Sequence, residues 1–228
     1  MGTVPNAESV CLLVSGGLDS SVLAKILSSS SNHIVPLYVR CGLAWEDTEL
    51  YYLKKFLQTV NVRPLQTLNV IEMPTDDIYE GHWSITGNDV PDSNSEDPSV
   101  YLPGRNLLLL SKTAVFCAQK KLNCIALASL SNNPFPDATN SFFCQFEKMA
   151  SIGLANPIKI ITPFANHTKS EVILEGQNLP LHLTFSCIDP INNQHCGSCN
   201  KCEERISAFA TSGVKDPTNY SESRITRF

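Results

Sequence analysis

Ser15-Gly16-Gly17-Leu18-Asp19-Ser20 follows the apolar run Val10-Cys11-Leu12-Leu13-Val14 and precedes Ser21-Val22-Leu23-Ala24-Lys25-Ile26-Leu27, whose apolar spacing fits a helix. A strand, a glycine-rich turn and a helix start, in that order, build an anion site. Two glycines let the backbone turn sharply and come close to a ligand. The helix N-terminus offers unpaired N–H groups and the positive end of its dipole. Ser15, Ser20 and Ser21 add hydroxyl groups. The stretch Val14, Ser15, Gly16, Gly17, Leu18, Asp19, Ser20, Ser21 is therefore expected to hold a phosphate or pyrophosphate.

Other readings of this turn fail on spacing. A Walker P-loop needs G-x-x-x-x-G-K-[ST], which is not present. A dinucleotide turn needs G-x-G-x-x-G, and here the two glycines are adjacent. A hydrolase nucleophile elbow would need Gly at the position of Leu13. The plain alternative is a structural turn whose helix is N-capped by Asp19 or Ser20. The spelling S-G-G-x-D-S resembles the PP-loop of ATP pyrophosphatases, which split ATP to AMP and pyrophosphate.

Outward from the turn, strand-like and helix-like segments alternate. Ile34 to Val39 reads as a second strand despite Pro36, and Thr48 to Thr59 as a helix with Leu50, Leu53 and Leu57 on one face. Leu65 to Ile71 is the expected third strand. Pro74 to Ser99 is rich in Asp, Asn, Ser, Gly and Pro and reads as a long surface excursion, a length usually tied to function or disorder. Leu107 to Lys120 is an apolar helix, Cys124 to Ala128 a buried strand, Ser141 to Leu154 a further helix, and Ile158 to Ile161 a fifth strand before a helix from about Thr168. This order predicts an α/β fold, a doubly wound parallel sheet covered on both faces, with ligands bound outside the strand carboxyl ends.

Composition limits the function classes. The 228 residues suit one domain, or one with a small appendage, and 43% hydrophobic content is enough for a proper core. Only 17% of residues are charged and the net charge is -5, against a dedicated nucleic-acid surface. No apolar run approaches a membrane span, and the N-terminus lacks a signal-peptide pattern. Asn6 stands where a myristoylation motif wants Ser or Thr. A cytoplasmic protein with no membrane partner is expected.

Nine cysteines, four of them between 187 and 202, read as thiols and metal ligands rather than disulfides. Cys187, Cys196, Cys199 and Cys202 have the spacing C-x8-C-x2-C-x2-C. Two C-x-x-C steps gather three thiolates around one point, and Cys187 closes a tetrahedron. Four thiolates with no open position suit a structural zinc. His195 is a rival ligand that four cysteines make unnecessary; an iron–sulfur cluster also takes four cysteines. A redox C-x-x-C belongs in a different setting, at a helix start in a thioredoxin-like unit. The chain is accordingly divided into an ATP-binding α/β part, 1–180, and a zinc-binding segment, 181–228.

Further motifs occur in a fixed order after the turn: Tyr101-Leu102-Pro103-Gly104-Arg105-Asn106, Phe135-Pro136-Asp137, Thr162-Pro163 with Lys169, the cysteine cluster with Ser186 and Gly197, and Asp216-Pro217. Together they resemble the 7-cyano-7-deazaguanine synthase family, also called QueC or ExsB, over nearly the whole chain. The resemblance implies an adenine nucleotide alpha-hydrolase-like sheet and an enzyme that converts 7-carboxy-7-deazaguanine and ammonia to the nitrile with ATP and Mg²⁺, a ligase forming C–N bonds. It implies activation of the carboxylate as an acyl adenylate, amide formation, then a second activation and elimination. It also implies free ammonia or a partner as nitrogen source, and a homodimer.

Within that resemblance Lys169 would neutralise charge on the phosphates, where spacing alone reads an exposed helix lysine. Asp19 would help hold Mg²⁺ or cap its helix. Arg105 would pair with a carboxylate or phosphate, or else stand on the surface. Asp137 would accept hydrogen bonds from a purine-like ring, or serve as a turn residue. Phe142 and Phe143 would stack on a heterocycle or pack in the core. Two stretches depart from the family: Tyr38 to Leu43 replaces Asp-Tyr-Gly-Gln-Arg-His, and Phe135 to Phe142 lacks the Cys, Arg and Glu of the substrate loop. A paralogue acting on another carboxylate, or on a macromolecule, is one alternative. RNA thiolation is another and needs a relay cysteine, for which Cys41, Cys117, Cys124 and Cys144 are available. A third is a non-enzymatic zinc module with a degenerate nucleotide site, against which the full S-G-G-x-D-S spelling argues.

Overall fold

The computed structural model describes residues 9–61, 63–131 and 133–221. Among them, five parallel strands form one sheet in the order β3-β2-β1-β4-β5: β1 Ser9–Leu13, β2 His33–Arg40, β3 Asn69–Glu72, β4 Cys124–Ala126 and β5 Lys159–Ile161. The helices are α1 Leu18–Leu27, α2 Glu46–Val60, α3 Trp83–Thr86, α4 Arg105–Lys120, α5 Asn140–Leu154, α6 Lys169–Gly176 and α7 Asn200–Ser212. The expected doubly wound α/β architecture is present, and none of these helices is long and apolar enough to cross a membrane.

Side chains alternate across the sheet because the strand period is two. Cys11, Leu37, Val39, Ile125 and Ile160 bury one face against α4 and α5. Val10, Leu12, Ile34, Tyr38, Ala126 and Ile161 bury the other against α1, α2, α6 and α7. Residues beyond 180 join both layers: Phe185 and the four cysteines enter the first, Ala208 and Phe209 the second. α1 and α6 approach so closely that a Cβ on Gly176 would lie 2.5 Å from Val22 Cγ2.

The third strand is shorter than expected, starting at Asn69 instead of Leu65. Leu65 makes only an isolated bridge to Ile34. Between these points stands Pro36, which has no N–H to offer β3; its carbonyl accepts from the Asn69 side chain, at 3.5 Å. The ladder toward β3 resumes at Leu37 opposite Asn69, while the ladder toward β1 runs through Pro36 without a break.

The excursion after β3 is ordered along its length. It carries α3 and a 3-10 turn at Asp97–Val100, and hydrogen bonds fasten it along its length, among them Thr75 Oγ1 to Cys41 O at 3.0 Å and Tyr79 Oη to Pro103 O at 2.7 Å. Ala44 N donates to Ser84 O at 2.8 Å. Asp92 forms a bridge with Cys199, Ser93 N donates to Ser198 O at 2.8 Å, and Asn200 Nδ2 donates to Ser95 O at 2.7 Å.

Candidate functional site

Strand order reverses between β1 and β4, and the loops leaving these two strands open a crevice at the carboxyl edge of the sheet, the place where parallel sheets bind ligands. The 15–20 turn forms one lip. Gly16 has φ +81°, and a Cβ there would lie 3.0 Å from Glu49 O and 3.1 Å from Leu53 Cβ. Both the left-handed backbone and the contact with α2 demand glycine. The N-cap of α1 is Gly17, with no side-chain cap; neither Asp19 nor Ser20 holds that position. Ser20 instead braces the turn, accepting from Ser15 N and donating to Gly17 O, each at 3.2 Å. Phe185 N donates to Gly16 O at 2.9 Å, clamping the turn from the C-terminal side. The amides of Leu18, Asp19 and Ser20, at the start of α1, have no partner among the described residues.

The crevice is a cleft of about 690 Å³ with an inner pocket of about 210 Å³, joined where Ser15, Gly17, Asp19, Glu49 and Arg105 line both. Lys169 enters it from the first turn of α6, whose start is fixed by a capping box between Thr168 and Glu171. Its side chain is only 18% exposed, so the reading as an exposed helix lysine is corrected. Lys169 Nζ lies 3.5 Å from Asp19 Oδ2 and also pairs with Glu204 of α7. Burial alone would lower the ammonium's pKa; the two carboxylates more than offset this and hold it charged. Burial raises the Asp19 carboxyl, a shift that Lys169 opposes. Asp19 Oδ1 is buried with no hydrogen-bond partner, an acceptor suited to a cation or a donor.

Arg105, the first residue of α4, lines both parts of the cleft and is not a plain surface arginine; its buried Nε has no partner. Asp137 is placed otherwise. It is buried, and its Oδ2 accepts from Asn106 N at 2.8 Å, serving the N-terminus of α4, where the N-cap Gly104 has no side chain to do so. Asp137 lines neither part of the cleft. Phe143 is buried in the core, and Phe142 packs against it and Phe146 rather than standing over the cleft.

Several cleft groups were not singled out in the sequence. Glu49, on α2, takes a 2.7 Å hydrogen bond from the Tyr38 hydroxyl, and burial pushes its carboxyl up to about 7. Glu46, one turn earlier, accepts from the amides of Cys41 and Gly42 and from Arg40 Nε, tying the end of β2 to α2. Trp83 of α3 stacks on Trp45 with ring centroids 5.7 Å apart, and both line the wide end of the cleft with Phe135. A Glu-x-x-Glu pair soon after a strand and two tryptophans in polar surroundings were the available signals.

The four cysteines predicted as ligands converge. All are buried, and their sulfurs lie within 4.8 Å of one another. Sγ separations are 3.6 Å for Cys187–Cys196 and 3.9 Å for both Cys187–Cys199 and Cys196–Cys202. A tetrahedral ion with metal–sulfur bonds of ~2.3 Å sets its sulfurs ~3.8 Å apart. Backbone amides of Asp189 and Cys196 point at Cys187 Sγ, and those of Ser198 and Cys199 at Cys196 Sγ, at 3.3–3.4 Å. Such donors favour thiolate, as a metal centre requires. The cluster can therefore hold a metal. His195 is not part of it: Nε2 accepts from Ser186 N at 3.1 Å, the ring packs on Phe185, and burial lowers its pKa to about 3. Nearby Arg205 is fully buried and pins Leu181 O, Thr184 Oγ1 and Thr218 Oγ1 together. Cys41, Cys117 and Cys124 are buried away from solvent; Cys144 is exposed but lines neither part of the cleft.

A family model described as "Queuosine biosynthesis protein QueC" matches residues 9–213. The chain is 33% identical over 208 residues to "7-cyano-7-deazaguanine synthase 1" of Desulfitobacterium hafniense, covering 89% of this chain and 91% of that one. It is 30% identical over 226 residues to the 7-cyano-7-deazaguanine synthase of Methanosphaerula palustris (94% and 100%), and 32% identical over 225 residues to that of Leptospira interrogans (92% and 90%). Among solved structures it is similar to the "U34-tRNA thiolase NcsA from Methanococcus maripaludis with its [4Fe-4S] cluster", with a TM-score of 0.51, 13% identity, and coverage of 98% of this chain and 81% of that one. At that identity the likeness is one of fold.

Proposed function

The chain belongs to the QueC family of queuosine biosynthesis proteins, and on that premise we propose that it converts 7-carboxy-7-deazaguanine, ammonia and ATP to 7-cyano-7-deazaguanine. The carrying observation is the uncapped start of α1, whose free amides open on a cleft that also receives Lys169 and Arg105.

In this reading a substrate carboxylate oxygen attacks the α-phosphorus of ATP and pyrophosphate leaves. The amides of Leu18, Asp19 and Ser20, together with Lys169, take up the charge on the leaving group, being fixed donors that need no reorganisation. Arg105 pairs with the carboxylate or α-phosphate. Ammonia attacks the acyl carbon and expels AMP, giving the amide. A second activation at the amide oxygen, followed by loss of AMP and a proton from nitrogen, leaves the nitrile. Asp19 Oδ1 is the acceptor available to Mg²⁺, which when bound would screen the phosphate oxygens. The tetrahedral sulfur spacing favours zinc at the cysteines; an iron–sulfur cube spreads its four ligand sulfurs over separate irons. The division into an ATP-binding part, 1–180, and a metal-binding segment, 181–228, and assembly into a homodimer belong to the same proposal.

Mass spectrometry of a reaction containing purified protein, ATP, Mg²⁺, ammonium and 7-carboxy-7-deazaguanine tests it. Nitrile with AMP and pyrophosphate is expected. No turnover by fully metal-loaded protein would refute it and favour a second reading, a relative that activates another carboxylate. Two observations favour that second reading: Asp137 is spent on α4, and the wide end of the cleft is walled by Trp45, Trp83 and Phe135.

A further inference from the structure

α7 begins at the cysteine knuckle, with Cys199 as N-cap, and Lys201 in its first turn and Glu204 just after it line the cleft. Lys201 Nζ donates to Glu204 Oε2 at 2.7 Å. The other oxygen of the same carboxylate, Oε1, takes Lys169 Nζ. Glu204 therefore bridges two ammonium groups that come from different helices, α6 and α7. All three side chains line the cleft that contains Ser15, Gly17 and Asp19 of the turn.

This arrangement is poorly explained as a device for stability. Lys169 sits in the first turn of α6 and Lys201 in the first turn of α7, the ends where a helix dipole disfavours cations. Partly exposed ion pairs contribute little to folding. Two ammonium groups at helix N-termini, beside a third N-terminus with unpaired amides, supply donors suited to a polyanion, their charge now balanced by Glu204 and Asp19. The Glu204 carboxylate holds the two ammonium groups in the way a pair of phosphate oxygens would.

We propose that Lys169 and Lys201 form a two-ammonium clamp for the pyrophosphate portion of a nucleoside triphosphate, and that Glu204 is the internal anion that holds the pair until that ligand arrives. The inference rests on the nucleotide reading of the cleft and deepens it, adding Lys201 and Glu204 to the site. On ligand entry each lysine exchanges one Glu204 oxygen for a phosphate oxygen; no bond is made or broken beyond these contacts. The first turn of α7 also links the cysteine cluster to the anion, since Lys201 lies between Cys199 and Cys202.

The test is the affinity for inorganic pyrophosphate and for ATP, measured calorimetrically on full-length, metal-loaded protein. Metal content and melting temperature are recorded for each variant as checks that the knuckle and fold persist. Lys201→Met is expected to weaken pyrophosphate binding about fivefold or more, with the deficit shrinking at high salt. Glu204→Gln removes the competing anion and is expected to tighten binding about threefold. Unchanged affinity in Lys201→Met, with wild type binding normally, overturns the clamp while leaving the nucleotide reading intact. Weaker binding in Glu204→Gln overturns the stand-in role. A wild-type protein that binds neither ATP nor pyrophosphate overturns the clamp and the nucleotide reading together.

Discussion

Lys169 Nζ and Asp19 Oδ2 lie 3.5 Å apart, joining the first turn of α6 to the first turn of α1 across the mouth of the cleft. The pair sets a cation beside the glycine-rich turn and orients the carboxylate whose second oxygen has no partner. Lys169→Met should therefore cut turnover by about 10²-fold or more, because leaving-group stabilisation is lost. It should cost only about 1–2 kcal/mol of stability, from Asp19 and Glu204 losing a shared partner. Steady-state kinetics beside a denaturant melt check both; a variant retaining wild-type turnover would remove Lys169 from the site.

Glu49 gives a pH signature. Its folded carboxyl titrates near 7, against an ordinary 4.5, because of burial, partly relieved by the Tyr38 hydroxyl and Arg105 and worsened by Glu46. Between pH 4.5 and 7 the native chain then binds more protons than the unfolded chain, so the Glu49 contribution to stability falls as pH rises through that window. Glu49→Gln should be more stable than wild type at pH 8 by about 1–3 kcal/mol and show no gain at pH 4. Urea titrations at the two pH values decide it, and an equal effect at both would contradict the assignment.

Cys199 is at once a member of the cysteine cluster able to hold a metal, the N-cap of α7 and the bridge partner of Asp92. Cys199→Ser should lose bound metal and destabilise the fold by about 3 kcal/mol or more, since metal affinity at such a centre is folding energy. Elemental analysis and calorimetry measure this. Unchanged metal content and melting temperature would rule out the cluster as a metal centre.

Asp137→Ala should lower stability by about 1 kcal/mol, the usual cost of removing a helix N-terminal acceptor. Its effect on the acceptor KM should be small, because the carboxylate faces α4 and not the cleft. A large rise in KM with no change in melting would return Asp137 to the substrate side.

What could be read from the sequence was whatever depends on neighbours in the chain. The 15–20 turn and the cysteine spacing bring their ligand groups together within a few residues of one another, so both were legible. The strand–helix alternation likewise fixed the sheet. The start of β3 was not legible, since it depends on a missing N–H at Pro36 of another strand. Glu49, Trp83, Lys201 and Glu204 meet only after α2, the excursion and α7 converge. Asp137 could be read as substrate contact or turn residue; its bond to Asn106, 31 residues away, is tertiary.

The wall of the cleft contributed by residues 83–100 is fastened to residues 198–200, and the turn at 15–20 is clamped by Phe185. The glycine-rich turn thus depends on residues far downstream of it in the chain, and is translated well before them. A growing chain that ends before Asn200 carries the turn without the fastening that holds the opposite wall, so the cleft is completed only after that segment emerges. Premature termination within the cysteine knuckle would yield a sheet that folds around a cleft left open on one side.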